Sequence, residues 1–109
     1  MSEINIWLDD IRPAPDGFIW VKNVAELTNF YNKCVLDTKE KINIISLDND
    51  LGEGMPEGYK FLDYIEPRVI LAGDPLPAEI RVHSANPVAR KRMEMVIDNL
   101  YRKSYARWY

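Results

Sequence analysis

Among the 109 residues there is one cysteine, Cys34, and one histidine, His83. A single thiol forms no internal disulfide and no cysteine-based zinc site, and a free thiol suits a reducing compartment, so a cytoplasmic setting is expected. No apolar run approaches the roughly 18 residues of a membrane span. The opening segment, MSEINIWLDDIRP, reaches Asp9 and Asp10 before an apolar stretch of signal-peptide length accumulates, so neither export nor a membrane association is expected. Five glycines and seven prolines, with no repeat and no Pro/Gly/Ser-rich stretch, exclude collagenous, low-complexity and linker-joined organisations. What is present, 47% hydrophobic residues spread along the whole length, builds one core, and a single domain over residues 1–109 is expected.

Charge is divided unevenly. Residues 1–86 hold eight Lys/Arg against fifteen Asp/Glu, whereas residues 87–109 hold six against two. The acidic body argues against general nucleic-acid binding, while the basic end offers attraction for a phosphate-bearing partner or simply a solvated helix face.

Three short apolar runs, Ile4 to Leu8, Ile42 to Leu47 and Glu79 to Val82, predict buried strands, and Phe18 to Val21 predicts a fourth. Between them, Val24, Leu27, Phe30, Tyr31 and Cys34 recur with helical spacing, as do Tyr59, Leu62, Ile65 and Val69. Asn23 with Glu26 three residues on predicts a capping box. A last helix is expected from Pro87 to about Lys103, capped by Ser84 or Asn86, with Met93, Ile97 and Leu100 on its apolar stripe. Alternating strands and helices predict a small three-layer α/β sandwich around a parallel sheet of about four strands.

Each strand ends in polar residues: Asp9 and Asp10, then Asp48 and Asp50, then His83 and Ser84. Ligands of open α/β sheets bind beyond the carboxyl ends of the strands, so these clusters are expected to meet. Four gathered carboxylates repel one another unless a cation sits among them, and hard oxygen donors suit Mg²⁺ or Mn²⁺. Strand-end aspartates also serve as turn formers and caps. His83 is the one side chain that titrates near neutrality without perturbation, which makes it the candidate proton carrier, or else a structural histidine. SANP, Ser84 to Pro87, opens a helix whose free N–H groups form an anion site, with Arg90 one turn further; ordinary capping needs the same residues. Arg12 is placed either to hold a phosphate bidentately or to pair with Asp9 or Asp10. LGEGMPEG lacks the Gly-Lys-Ser/Thr ending of a P-loop and reads as a loop beside the site. Trp7 and Trp20 read as core or sheet-face residues. Tyr105, Trp108 and Tyr109 need cover, from the sheet or from a second subunit.

Together LDDIRP, ISLDNDLG and HSANP, in this order and each after a strand, resemble the cyclic-phosphate processing receiver domains, compact relatives of response-regulator receivers, over nearly the whole chain. The resemblance implies a receiver-like, flavodoxin-like sheet shortened at its distal end and an activity on cyclic phosphates of nucleotides or RNA ends. It puts Asp9, Asp10, Asp48 and Asp50 in an acidic pocket, His83 and Ser84 at the end of the last strand, and Asn86 nearby. One departure is Asn49, where the family's second motif often reads Asp-His-Asp; either proton transfer then rests on His83 as donor with metal-activated water, or catalysis is weak. The resulting expectation is a metal-dependent phosphoesterase, a hydrolase of a cyclic phosphodiester. In it Asp9, Asp10, Asp48 and Asp50 hold Mg²⁺ or Mn²⁺, with Asp48 and Asp50 joining His83 in catalysis, while Arg12, Ser84, Asn86 and Arg90 bind the phosphate. Two alternatives stay open. One is a signalling receiver phosphorylated on Asp48 or Asp50, against which stands the lack of a further strand to supply the receivers' lysine. The other is a non-catalytic binding module that holds a nucleotide or protein partner with its aromatic C-terminus and basic helix. A homodimer through the aromatic C-terminus is expected in any of these readings.

Overall fold

The apolar runs become strands: β1 (Ile4–Leu8), β2 (Ile19–Val21), β3 (Ile42–Leu47) and β4 (Glu79–Val82). In the computed structural model, which describes residues 3–106 and their side chains through Ser104, they pair in parallel in the order β2-β1-β3-β4. Among the described residues three α-helices join them, α1 (Val24–Asn32), α2 (Tyr59–Ile70) and α3 (Pro87–Ala106). A π-helical segment, Lys33–Thr38, continues α1 and stops at Lys39, whose φ of 55° is left-handed. This is the expected receiver-like α/β fold, with β4 at the edge. No helix is long and apolar enough to cross a membrane among the described residues.

Local chemistry explains the helix starts. The Asn23 side chain accepts the Glu26 N–H at 2.9 Å while Glu26 reaches back to the Lys22 N–H, the expected reciprocal cap. At α3 the cap is Asn86, whose Oδ1 accepts the N–H groups of Val88 and Ala89. Ser84 supports it one step earlier by accepting the Asn86 N–H.

Side chains alternate between the faces of a strand, and here the two faces differ. Ile6 and Leu8, Val21, Ile45 and Leu47, and Ile80 and Val82 share one face and are buried. Leu27 and Tyr31 of α1, Phe61, Leu62 and Ile65 of α2, and Met93, Ile97 and Leu100 of α3 complete one core. Since α2 packs against both α1 and α3, all three helices lie on this face. The other face carries Asn5 and Trp7, Trp20, Ile44 and Ser46, and Glu79 and Arg81.

Of the three layers expected, the third is therefore not helical. Right-handed crossovers send the β1 to β2 connection over the face opposite to α1, because β2 and β3 flank β1 on different sides. That connection, residues 9–18, contains Pro13, Pro15 and Gly17 and runs as an irregular loop. It is held to the face beneath it by the Trp7 indole N–H on the Arg12 carbonyl (3.0 Å) and the Asn5 amide on the Gly17 carbonyl (3.3 Å). Tyr105, Trp108 and Tyr109, on which the homodimer expectation rests, have side chains outside the described residues.

Candidate active site

The row of residues just beyond the strand ends forms the site. Trp7, Ser46 and Arg81 lie in register across β1, β3 and β4 on the helix-free face, and two residues further on, on the same side, come Asp9, Asp48 and His83. The parallel pattern persists into this row, since the Asp48 N–H donates to the Leu8 carbonyl and the His83 N–H to the Leu47 carbonyl, both at 2.9 Å.

Oxygens from Asp9, Asp10 and Asp48 lie within 4.8 Å of one another. Asp9 is 1% exposed and Asp48 7%, while Asp10 is half-buried. Asp50, two residues beyond Asp48, is exposed and lies outside this trio. Asp9 is held by its own turn: Oδ1 accepts the N–H groups of Ile11 (2.9 Å) and Arg12 (2.8 Å). Its Oδ2 faces His83 Nε2 at 3.1 Å and Arg12 Nε at 3.9 Å. Burial pushes the Asp9 carboxyl up, but the N–H groups of Arg12 and Ile11, together with His83, outweigh it and hold it below its ordinary value. Asp48 goes the other way, raised by burial first and then by the neighbouring charge of Asp9. A partly desolvated cluster of hard oxygen donors is the donor set that a divalent cation such as Mg²⁺ or Mn²⁺ takes, so the residues present fit that group.

His83 sits in a fixed frame. Its ring stacks on Trp7 with centroids 3.6 Å apart and planes 5° from parallel. Nδ1 lies 2.8 Å from the Ser46 hydroxyl, and Nε2 faces Asp9. Burial lowers its pKa below 6.5 and Asp9 offsets this only in part, so the ring is neutral at pH 7. An ionised carboxylate accepts and never donates; Nε2 therefore carries the proton and Nδ1 accepts from Ser46.

Arg12 bridges the rim. Its Nη1 donates to the His83 carbonyl at 3.4 Å, and its side chain is 53% exposed. Ser84 is buried and Asn86 half-buried, and both side-chain oxygens are spent on backbone N–H groups at the start of α3. Arg90 lies in the groove between β4 and α3, its Nε 3.8 Å from Glu94. Asn49 is buried and serves the neighbouring loop: its Oδ1 accepts the Tyr59 N–H and its Nδ2 donates to Glu57. Gly58 closes the same loop, since a Cβ there would stand 1.9 Å from the Asp48 carbonyl oxygen.

Ser46 is the residue that the sequence reading passes over. Its signal is a lone hydroxyl in the otherwise apolar run Ile44 to Leu47, at a position that is 1% exposed. A polar side chain so placed must find a partner, and the partner is His83.

The sequence profile of the cyclic-phosphate processing receiver domain matches residues 4–99. The chain belongs to this family. Comparison with curated proteins and with solved structures gave no match. The matched stretch includes all three strand-end motifs, so the acidic trio and His83 lie within the cyclic-phosphate processing receiver domain proper.

Proposed function

We propose that this domain is a divalent-metal-dependent phosphoesterase that opens the cyclic phosphates of nucleotides or RNA ends. The observation that carries the reading is the juxtaposition of the Asp9, Asp10 and Asp48 carboxylates with a neutral, framed His83 in a chain of this family. Asp9, Asp10 and Asp48 would hold Mg²⁺ or Mn²⁺, with Asp50 at the rim. Such an ion supplies positive charge against the phosphoryl oxygens and makes water a better nucleophile.

The chain's own groups do the rest. Arg12 pairs with phosphate oxygens as negative charge grows on them, a fork-shaped donor matched to that geometry. The N-terminal end of α3, capped by Asn86, adds favourable potential. Water adds to phosphorus, one bond from phosphorus to a sugar oxygen breaks, and one proton passes from the water to the departing oxygen. His83 carries that proton: with its own proton shifted to Nδ1, where the Ser46 hydroxyl accepts it, Nε2 takes a proton from the water and then gives it to the departing oxygen, while Ser46 and Trp7 hold the ring in place.

Phosphorus NMR with 2′,3′- and 3′,5′-cyclic nucleotides, with Mn²⁺ or Mg²⁺ and again with a chelator, tests the proposal. Metal-dependent appearance of a phosphomonoester is expected, and His83→Ala should cut turnover by about 10²–10⁴-fold, the range of a positioned acid or base. No conversion of any compound would overturn the hydrolase reading in favour of a receiver-like phosphoacceptor or nucleotide-binding module.

A further inference from the structure

The helix-free face of the sheet carries a feature that catalysis at the acidic trio does not use. Trp20 is the central residue of β2, and its neighbours Ile19 and Val21 point to the helix side, so Trp20 alone turns to the face that no helix covers. It is 36% exposed. A tryptophan that serves packing alone tends to bury its ring; this one keeps a third of its surface in solvent yet is fixed in position. Its indole N–H donates to the main-chain carbonyl of Asp9 at 2.7 Å. The same residue whose carboxylate joins the acidic trio therefore anchors the indole, and the ring stands at the strand ends where ligands of such sheets bind. Lys22, exposed, lies over the ring with its ammonium 4.5 Å from the centroid.

We propose that Trp20 is a stacking platform for the base of a nucleoside cyclic phosphate, so that the substrate class is base-bearing and not a plain polyol cyclic phosphate. The inference rests on the reading of the acidic trio as the phosphate site. With the phosphate at Asp9, Asp10 and Asp48, the ribose spans the short gap to the indole pinned on Asp9, and the base lies on the ring. Base–aromatic stacking tolerates any base, since every base offers a π-face. An exposed ammonium over a ring is weakly held, so the base can displace Lys22 and leave its charge beside the phosphate. Trp7, also on this face, is already stacked on His83 and half-buried, which leaves Trp20, with only the exposed Lys22 ammonium over its ring, as the platform of the two.

The test compares adenosine 2′,3′-cyclic phosphate with ribose 2′,3′-cyclic phosphate, which lacks the base, on the full chain with Mg²⁺, reading binding by titration calorimetry and turnover separately by phosphorus NMR. The wild type is expected to bind the adenosine compound about tenfold or more tighter, the size of one stacking contact. Trp20→Leu should collapse that ratio to below about threefold, whereas Trp20→Phe, which keeps an aromatic ring, should retain most of it. Because indole emission reports the contact directly, quenching of tryptophan fluorescence by the adenosine compound should vanish in Trp20→Phe even if Trp20→Leu does not fold. No preference in the wild type, a preference unchanged in Trp20→Leu, a quench that persists in Trp20→Phe, or failure to bind either compound would overturn the platform. Binding with the expected ratio but without ring opening would instead overturn the hydrolase reading and support the platform.

Discussion

On the helix-covered face of the sheet, β1, β3 and β4 present Ile6, Leu8, Ile45, Leu47, Ile80 and Val82; on the opposite face the same strands present Trp7, Ser46 and Arg81, and one step further Asp9, Asp48 and His83. The first set is buried against three helices, and the second has no helix over it, only a proline-containing loop held at Trp7. Because a strand sends alternate residues to opposite sides, the two sets are interleaved in sequence yet separated by the thickness of the sheet. The division teaches how a domain this small keeps both a core and a site. Receiver-like folds usually spend helices on both faces. Here one face supplies the stability, and the other is left thin enough for polar and aromatic side chains to gather at the strand ends.

The largest effect expected from breaking this division comes from the covered face. Leu47 is fully buried between Asp48 and Ser46, two residues of the other side. Leu47→Ala should cost about 2–5 kcal/mol, the range for a leucine truncated in a well-packed core. Thermal melting should fall by at least about 8 °C, given about 4–8 °C per kcal/mol for a chain of this size. Turnover per folded molecule, measured well below the new midpoint, should change far less. A melting temperature within a few degrees of the wild type would show that the helices do not rely on this face as described.

A smaller effect, of opposite sign, is expected at the acidic row. Burial and the charge of Asp9 raise the pKa of Asp48, so its ionised form is a cost to the metal-free fold. A carboxyl raised in the folded state contributes stability at low pH that is lost as pH climbs from 3.8 through the folded value. Asp48→Asn keeps the shape and the side-chain oxygen that accepts the Asn49 N–H. It should therefore raise the melting temperature of the metal-free protein at pH 7, by less than Leu47→Ala lowers it. The gain should shrink toward pH 4, and the added stability that Mg²⁺ gives the wild type should disappear. A variant less stable than the wild type in chelator at pH 7 would contradict the repulsion on which this rests.

These two substitutions also mark what could be read from the residues alone. Ile4 to Leu8 and Ile42 to Leu47 are legible as strands because apolar runs of that length bounded by polar residues have few other uses. The Asn23 to Glu26 cap is legible because it is local. The meeting of Asp9, Asp10 and Asp48 follows from parallel strands ending on one side. The uneven layering was harder to see. INIWL and INIISL read as buried on both faces, and only the register of β1 with β3 shows that Asn5, Trp7 and Ser46 form one side. The Ser46 to His83 contact spans 37 positions and depends on that register, so no short-range pattern could announce it. Asn49 read as a missing histidine, and only the loop folded against α2 gives it a partner in Glu57. Arg90 follows the SANP cap in sequence, but helix periodicity turns it toward Glu94 and the β4 groove.

The smallest expected effect lies in the pH dependence of stability, and it isolates His83. Its pKa is lowered in the folded protein, burial outweighing the help of Asp9, so the unfolded chain binds a proton more readily than the folded one. Stability from this group is present above the unfolded value near 6.5 and is lost as pH falls below it toward the folded value. One proton sets a ceiling of about 1.4 kcal/mol per pH unit on the slope. Asp48, shifted upward, contributes a slope of the other sign in the acid part of the range, so the wild-type curve alone does not separate the two. The difference between wild type and His83→Gln does, because Asp48 is common to both. Urea midpoints taken in chelator from pH 7.5 downward should show the wild type losing stability below about 6.5 relative to the variant. Equal slopes would mean that His83 keeps its ordinary affinity for a proton, and with it that the ring on Trp7 is not held neutral for the exchange at Asp9.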